Sequence, residues 1–151
     1  MQSFEIQFPS CGFEMEDLGK IKYCLGLQLE HSPSRILVHQ SAYIQKILEK
    51  FNIDKSYHNK TSMVVRSLEI EKDPFRSWDI GEKILGPQVP YLNIIVALMY
   101  LANCTRPNIA FAMNLLARHS ADPTRRHWTG EKHILRYLNG TKDLIFLFKK
   151  S

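Results

Sequence analysis

The sequence predicts an α+β fold: a β-hairpin near the N-terminus, a packed group of helices and a single strand at the C-terminus. Three patterns carry that expectation. Polar and apolar residues alternate strictly over residues 21–30, three helical patterns open at Pro90, Pro107 and Pro123, and an apolar run closes the chain at residues 144–149. Period two sends alternate side chains to opposite faces of a strand, whereas a period near 3.6 gathers them on one face of a helix.

Ile21, Tyr23, Leu25, Leu27 and Leu29 alternate with Lys22, Cys24, Gly26, Gln28 and Glu30, which reads as one strand with a buried face. His31 to Ser34 is a turn cluster, and Arg35 to His39 is the return strand. Ser41 is placed to cap a helix whose stripe is Ile44, Ile47, Leu48 and Phe51, ending near Asn52. Residues 54–88 lose periodicity and hold Pro74, Pro87, Gly81 and Gly86, so they read as a long irregular connection. Proline suits the first position of a helix because it has no amide to leave unpaired there. The helix after Pro90 is apolar almost all round and should be buried on several sides. The next carries Ile109, Phe111, Met113, Leu115 and Leu116, and the third runs from an Asp122 cap to a left-handed stop at Asn139-Gly140. The closing strand finds no partner downstream in the sequence.

At 151 residues, with 44% hydrophobic and 23% charged, the chain has the size and composition of one globular domain. No apolar stretch reaches the ~18 residues of a membrane span, and the N-terminus lacks the basic start and apolar core of a secretory signal. Cys11, Cys24 and Cys104 are odd in number and scattered, which fits a reducing intracellular compartment, cytoplasmic or nuclear, better than a disulfide framework. Residues 105–151 hold nine Lys/Arg against Asp122, Glu131 and Asp143, whereas residues 1–104 hold eleven Lys/Arg against twelve Asp/Glu. The whole basic excess therefore lies in the last third, as on a surface that faces a polyanion, or on a merely solvated basic face.

Several chemistries have no counterpart. There is no phosphate-cradling glycine loop, no nucleophile elbow and no pair of histidines spaced for zinc, since His127 and His133 are six apart and read better as surface or capping residues. The acidic cluster Glu14, Glu16 and Asp17 sits on one short stretch, where carboxylates are usually solvated. No catalytic residue, metal ligand or cofactor is expected in this chain.

Four segments resemble the reverse transcriptases of copia-type LTR retrotransposons, in the Pol polyprotein of plant elements. F-E-M-E-D-L-G-K-I-K-Y-C-L-G-L-Q-L-E (Phe13 to Glu30) resembles the segment after the catalytic hairpin of the palm, and H-Q-S-A-Y-I-Q-K-I-L-E-K-F-N-I (His39 to Ile53) the helix that follows. Val89 to Arg118, with L-M-Y-L-A-N-C-T-R-P-N-I-A, and Arg125 to Thr141, with R-R-H-W and K-H-I-L-R-Y-L-N-G-T, resemble the thumb and connection leading into ribonuclease H. The resemblance divides the chain into an unrelated extension (1–12), the end of the palm with the first thumb helix (13–53), the irregular connection (54–88), the helical thumb and connection (89–143) and the first strand of a truncated ribonuclease H domain (144–151). It implies an RNA-directed DNA polymerase, magnesium-dependent in the intact enzyme, whose catalytic aspartates fall outside this chain. Asn108 stands where the family's T-R-P-D pattern has aspartate, and Asn93 and Val96 replace small residues, as in a decayed or truncated copy.

The expected role is at most contact with an RNA/DNA template–primer duplex; the alternatives are a protein-interaction module or a gene product without activity. The resemblance makes Leu25, Gly26 and Leu27 a primer grip, where glycine lets a nucleic-acid backbone approach, though Gly26 equally fits a bulge. Arg106, before the Pro107 helix start, either holds a phosphate or pairs with Asp122 or another carboxylate. Arg125, Lys132 and Arg136, with Arg126 beside them, form a basic stripe suited to backbone contact. Trp128 beside Leu135 reads as core more than as a base-stacking platform. Should the hairpin's apolar row stay uncovered, self-association through it is expected.

Overall fold

The computed structural model describes residues 19–63, 73–77 and 79–149. They form an antiparallel four-stranded sheet in the order β1-β2-β3-β4 and a group of helices. The strands are β1 (Tyr23–Cys24), β2 (Leu27–His31), β3 (Arg35–His39) and β4 (Phe146–Lys149). The helices are α1 (Ser41–Lys50), α2 (Tyr91–Cys104), α3 (Ala110–Ala117), preceded by a 3₁₀ turn at Pro107–Ile109, and α4 (Arg125–Gly140). The mixed α+β class is as the sequence predicts.

The first hairpin departs from the alternation pattern. Residues 21–30 are not one strand: Leu25 and Gly26 both take positive φ, 49° and 78°, and turn the chain so that Cys24 faces Leu27 and Tyr23 faces Gln28. Two left-handed residues in a two-residue loop match the right-handed twist of the strands they join. Asn-Gly or Asp-Gly usually signals such a turn; Leu-Gly does not, so the period-two count ran straight through it. Leu25 is consequently 85% exposed instead of facing the core. The second hairpin stands where the turn cluster placed it, with His31 opposite Ile36 and Gln28 opposite His39.

The closing strand does have a partner, though not a downstream one. β4 lies against β3, with Val38 opposite Phe146 and Arg35 opposite Lys149. This pairing spans more than a hundred residues and leaves no local trace in sequence. Strand β4 is one edge of the sheet and is exposed throughout.

Helix α1 buries Ile44, Ile47 and Leu48, as its stripe requires. Gln40, not Ser41, is its cap residue, and the Ser41 hydroxyl donates instead to the Lys142 carbonyl at 3.1 Å. The helix ends on Asn52 with φ 55°, the Asn52 amide donating to Glu49 and the Ile53 amide to Leu48. That pattern is a Schellman stop with asparagine in the left-handed seat. Helix α2 is buried along Ile94, Ile95, Leu98 and Leu101, but Leu92 and Val96 are more than half exposed, so it is not enclosed on all sides as expected. Helix α4 begins on Thr124 and not on Asp122. The Thr124 side chain accepts from the third residue's amide while the His127 ring accepts from the Thr124 amide, a reciprocal cap. Its far end passes through Gly140 to Thr141 at φ −128°, and Gly140 is not left-handed as expected.

Core residues come from all four helices: Ile44 and Leu48, Ile94, Leu98 and Leu101, Met113 and Leu116, Ile134, Leu135 and Leu138. Gly130 allows α4 to approach closely, since a methyl group there would lie 3.0 Å from the Leu116 side chain and 3.2 Å from Pro74. Between α1 and α2 the described residues hold only an isolated bridge, Ile84 to Thr124.

Candidate nucleic-acid interface

Four basic residues of the expected interface belong to α4, and the helix turns them different ways. Arg125 is exposed at its first position. Arg126 points inward: it pairs with Glu82 and donates to the carbonyls of Asp73 (3.2 Å) and Ser77 (3.5 Å). Its charge pins the connecting segment to the helix and is spent within the fold, which corrects its place beside the stripe. Lys132 and Arg136 are half-buried, and each lies over an aromatic ring, Trp128 at 5.8 Å and Tyr57 at 4.5 Å. Such cation–ring contacts hold a long side chain along the surface without neutralising it. Burial, and then the nearby Arg136 and Arg125 charges, lower the pKa of Lys132. The structure thus brings Arg125, Lys132 and Arg136 into one electrostatic neighbourhood, and among the described residues none of the three pairs with a carboxylate.

Trp128 packs half-buried against the core and serves as the platform for Lys132, so its face is taken by a side chain. Tyr57, the matching platform under Arg136, comes from the irregular connection, and nothing in its sequence context marks it.

Arg106 answers neither of its two expected roles. It is 1% exposed, and its guanidinium donates to the backbone carbonyls of Lys142 (3.0 Å) and Leu144 (3.4 Å). It does not face solvent as a phosphate ligand would, and among the described residues it forms no ion pair. Burial lowers its pKa while Tyr137 and Asp143 act against that.

The turn Leu25–Leu27 is held against α2. The Tyr100 hydroxyl of α2 donates to the Leu25 carbonyl, and a methyl group on Gly26 would sit 3.0 Å from the same hydroxyl oxygen. Gly26 is therefore needed twice, for its φ and for this close approach. Tyr23 and Leu25 stay exposed, while Leu27 and Leu29 are half-buried. Among the described residues no hydrogen bond or ion pair joins this turn, or Arg106, to the three cations of α4.

A second basic group went unforeseen. Lys20, Lys22, His31 and His39 surround a hollow of about 460 Å³ on the sheet, with Glu30 among them bonded to His39 at 3.3 Å. The residues come from three separate stretches of the chain, around Lys20–Lys22, Glu30–His31 and His39, brought together by the hairpins. Among the described residues no three of His, Cys, Asp or Glu converge as metal ligands would, and no helix is long and apolar enough to cross a membrane. The cluster Glu14, Glu16 and Asp17 lies outside the described residues.

Three relatives place the chain. It is 34% identical over 134 residues, 87% of its length, to the retrovirus-related Pol polyprotein from transposon TNT 1-94 of Nicotiana tabacum. It is 32% identical over 138 residues, 91% of its length, to the corresponding polyprotein from transposon RE1 of Arabidopsis thaliana. The chain belongs to the retrotransposon Pol polyproteins. This Pol chain also matches an uncharacterized mitochondrial protein of Arabidopsis thaliana, 30% identical over 135 residues and covering 51% of that protein. It spans only about a tenth of the two polyproteins, so most of what they contain has no counterpart in it. No protein-family model and no solved structure matches the chain.

Proposed function

We propose that this Pol chain is a non-catalytic segment of a copia-type reverse transcriptase, from the thumb and connection, whose remaining activity is to hold the backbone of a template–primer duplex. The reading is carried by the group Arg125, Lys132 and Arg136 on α4, three cations without carboxylate partners among the described residues, two of them laid on aromatic rings. Cations held in place without neutralisation suit phosphates, which they position without reading sequence. Arg106 and Arg126 are committed to internal carbonyls and Glu82, which leaves the binding to the three others. Leu25 is exposed at the tight turn it forms with Gly26 before the half-buried Leu27, and this turn is the part a duplex would approach as a primer grip. The setting in this reading is intracellular.

Fluorescence anisotropy with a labelled RNA/DNA hybrid duplex tests it. Binding should be weak, indifferent to sequence and steeply reduced by salt, since each phosphate contact releases counterions. Changing Arg125, Lys132 and Arg136 together to alanine should lower affinity about tenfold or more and reduce the salt slope by about three contacts. An unchanged affinity would remove the interface from α4. Magnesium-dependent primer extension by the purified chain would overturn the non-catalytic reading.

A further inference from the structure

Tyr57 is fixed from both sides and yet buries little of itself. Before it, the buried Asn139 of α4 shares its side-chain N–H groups among the carbonyls of Ile53 (3.3 Å), Asp54 (3.1 Å) and Ser56 (3.4 Å). After it, the Asn59 backbone amide donates to the Arg136 carbonyl at 3.4 Å, and the Asn59 side-chain amide to the His133 carbonyl at 3.1 Å. The segment 53–59 is therefore fastened to α4 on either side of one residue. Tyr57 is nonetheless 68% exposed. A lone exposed ring on a surface is ordinary. A ring whose backbone is tied to a helix at both ends is set in place before any ligand arrives, so binding there costs little ordering.

The ring has one face in use. The Arg136 guanidinium lies over it at 4.5 Å from the centre, so the exposed area belongs to the opposite face and the rim. Among the described residues no second ring or cation stacks on it. Arg125, Lys132 and Arg136 climb about 16 Å along α4 at 1.5 Å per residue, and Tyr57 stands at the Arg136 end of that run. A nucleic-acid backbone that follows the three cations is thereby led to an open aromatic face. A base inside a duplex has both faces against its neighbours and cannot use such a ring. A base beyond the last pair has a free face, and stacking accepts any base because each has a π-face.

We propose that Tyr57 is a stacking platform for an unpaired nucleotide, so that this Pol chain prefers a duplex whose strand runs on past the last base pair to a blunt one. This role rests on the reading that the α4 cations hold phosphates. It adds what those charges do not sense, a base without a partner.

Fluorescence anisotropy with labelled RNA/DNA hybrids of equal paired length tests it. One hybrid is blunt, one has a strand extended by a few nucleotides at both ends, and one carries the same extensions without bases. The ratio of affinities for the extended and the abasic hybrids reads stacking apart from phosphate contact. It should be about tenfold for the wild type, fall to about one in Tyr57→Leu, and be kept in Tyr57→Trp, with circular dichroism as a check on folding. Because only the ratio is read, a loosened Arg136 in the leucine variant does not disguise the result. A wild-type ratio near one, with the blunt hybrid still bound, overturns the platform and leaves the phosphate reading intact. A ratio that survives Tyr57→Leu, or is lost in a folded Tyr57→Trp, overturns it too. If none of the three hybrids binds, the phosphate reading fails and the platform falls with it.

Discussion

Glu131 and His127, one turn apart on α4, pull the stability of this Pol chain in opposite directions with pH. Glu131 is fully buried, neither of its carboxyl oxygens has a hydrogen-bond partner, and burial pushes its pKa up to about 9. A carboxyl whose folded pKa lies above its ordinary value near 4.5 stabilises the fold while protonated in both states. That contribution is complete below the unfolded pKa and drains away as pH rises towards the folded one. His127 works the other way. Its Nδ1 accepts the Thr124 amide at 3.0 Å and its Nε2 faces the Arg76 carbonyl at 2.7 Å, so the neutral ring fits, with its proton on Nε2. Burial depresses its pKa, helped by His119 stacked on it with ring centres 4.1 Å apart and by Arg126, and against the Arg76 bond and Glu82. Stability from His127 is present above the ordinary histidine pKa and is lost as pH falls. Chemical denaturation across pH should therefore show a maximum on the mildly acidic side of neutrality. Glu131→Gln should remove the alkaline decline, which amounts to a few kcal/mol between about pH 5 and pH 9. A variant that declines as steeply as the wild type would show that this carboxyl is ionised or solvated in the fold.

Elements were legible wherever their signals are local. The Ile44, Ile47, Leu48 stripe gave α1, and proline before an apolar run gave α2 and the start at Pro107. What stayed hidden depends on partners distant in the chain or on rare backbone states. No count of apolar residues reports that Leu25 takes a φ of 49°, that Thr124 and not Asp122 closes the first turn of α4, or that β4 returns to β3. The candidate interface divides along the same line. The α4 spacing put Arg125, Lys132 and Arg136 on one side, where the two arginines act on the lysine's charge, but could not report that Arg126 reaches Glu82 across forty-four residues. Gly130 is the element-scale test of packing. Alanine there must push Leu116 and Pro74 aside, so Gly130→Ala should destabilise by about 1–3 kcal/mol although alanine is the better helix former. A denaturation midpoint that rises instead would mean the α3–α4 contact is loose.

At the scale of the whole molecule, the sheet and the helices are held together through a buried charge and not only through apolar contact. Strand β4 contributes mainly exposed residues and buries little of the core. The segment leading to it nevertheless supplies the two carbonyls that accept from the Arg106 Nη2, of Lys142 and Leu144, and the Lys142 carbonyl also receives the Ser41 hydroxyl at the start of α1. Arg106 itself follows α2, so one guanidinium links the bundle to the sheet's last strand. An uncompensated buried charge costs roughly 3–5 kcal/mol, far more than the apolar contacts of an exposed edge strand return. A chain cut after Thr141 should therefore lose more than its few strand contacts suggest, with a melting temperature lower by roughly 10 °C or more at 2–4 °C per kcal/mol for a domain of this size. Adding Arg106→Met to the shortened chain should restore part of that loss, because a side chain of similar length without charge leaves nothing unpaired. Thermal melts of the four proteins, full-length and shortened, with and without Arg106→Met, separate the two contributions. If shortening costs the same with methionine at this position as with arginine, the carbonyl cradle carries no weight, and β4 matters only for the sheet it completes.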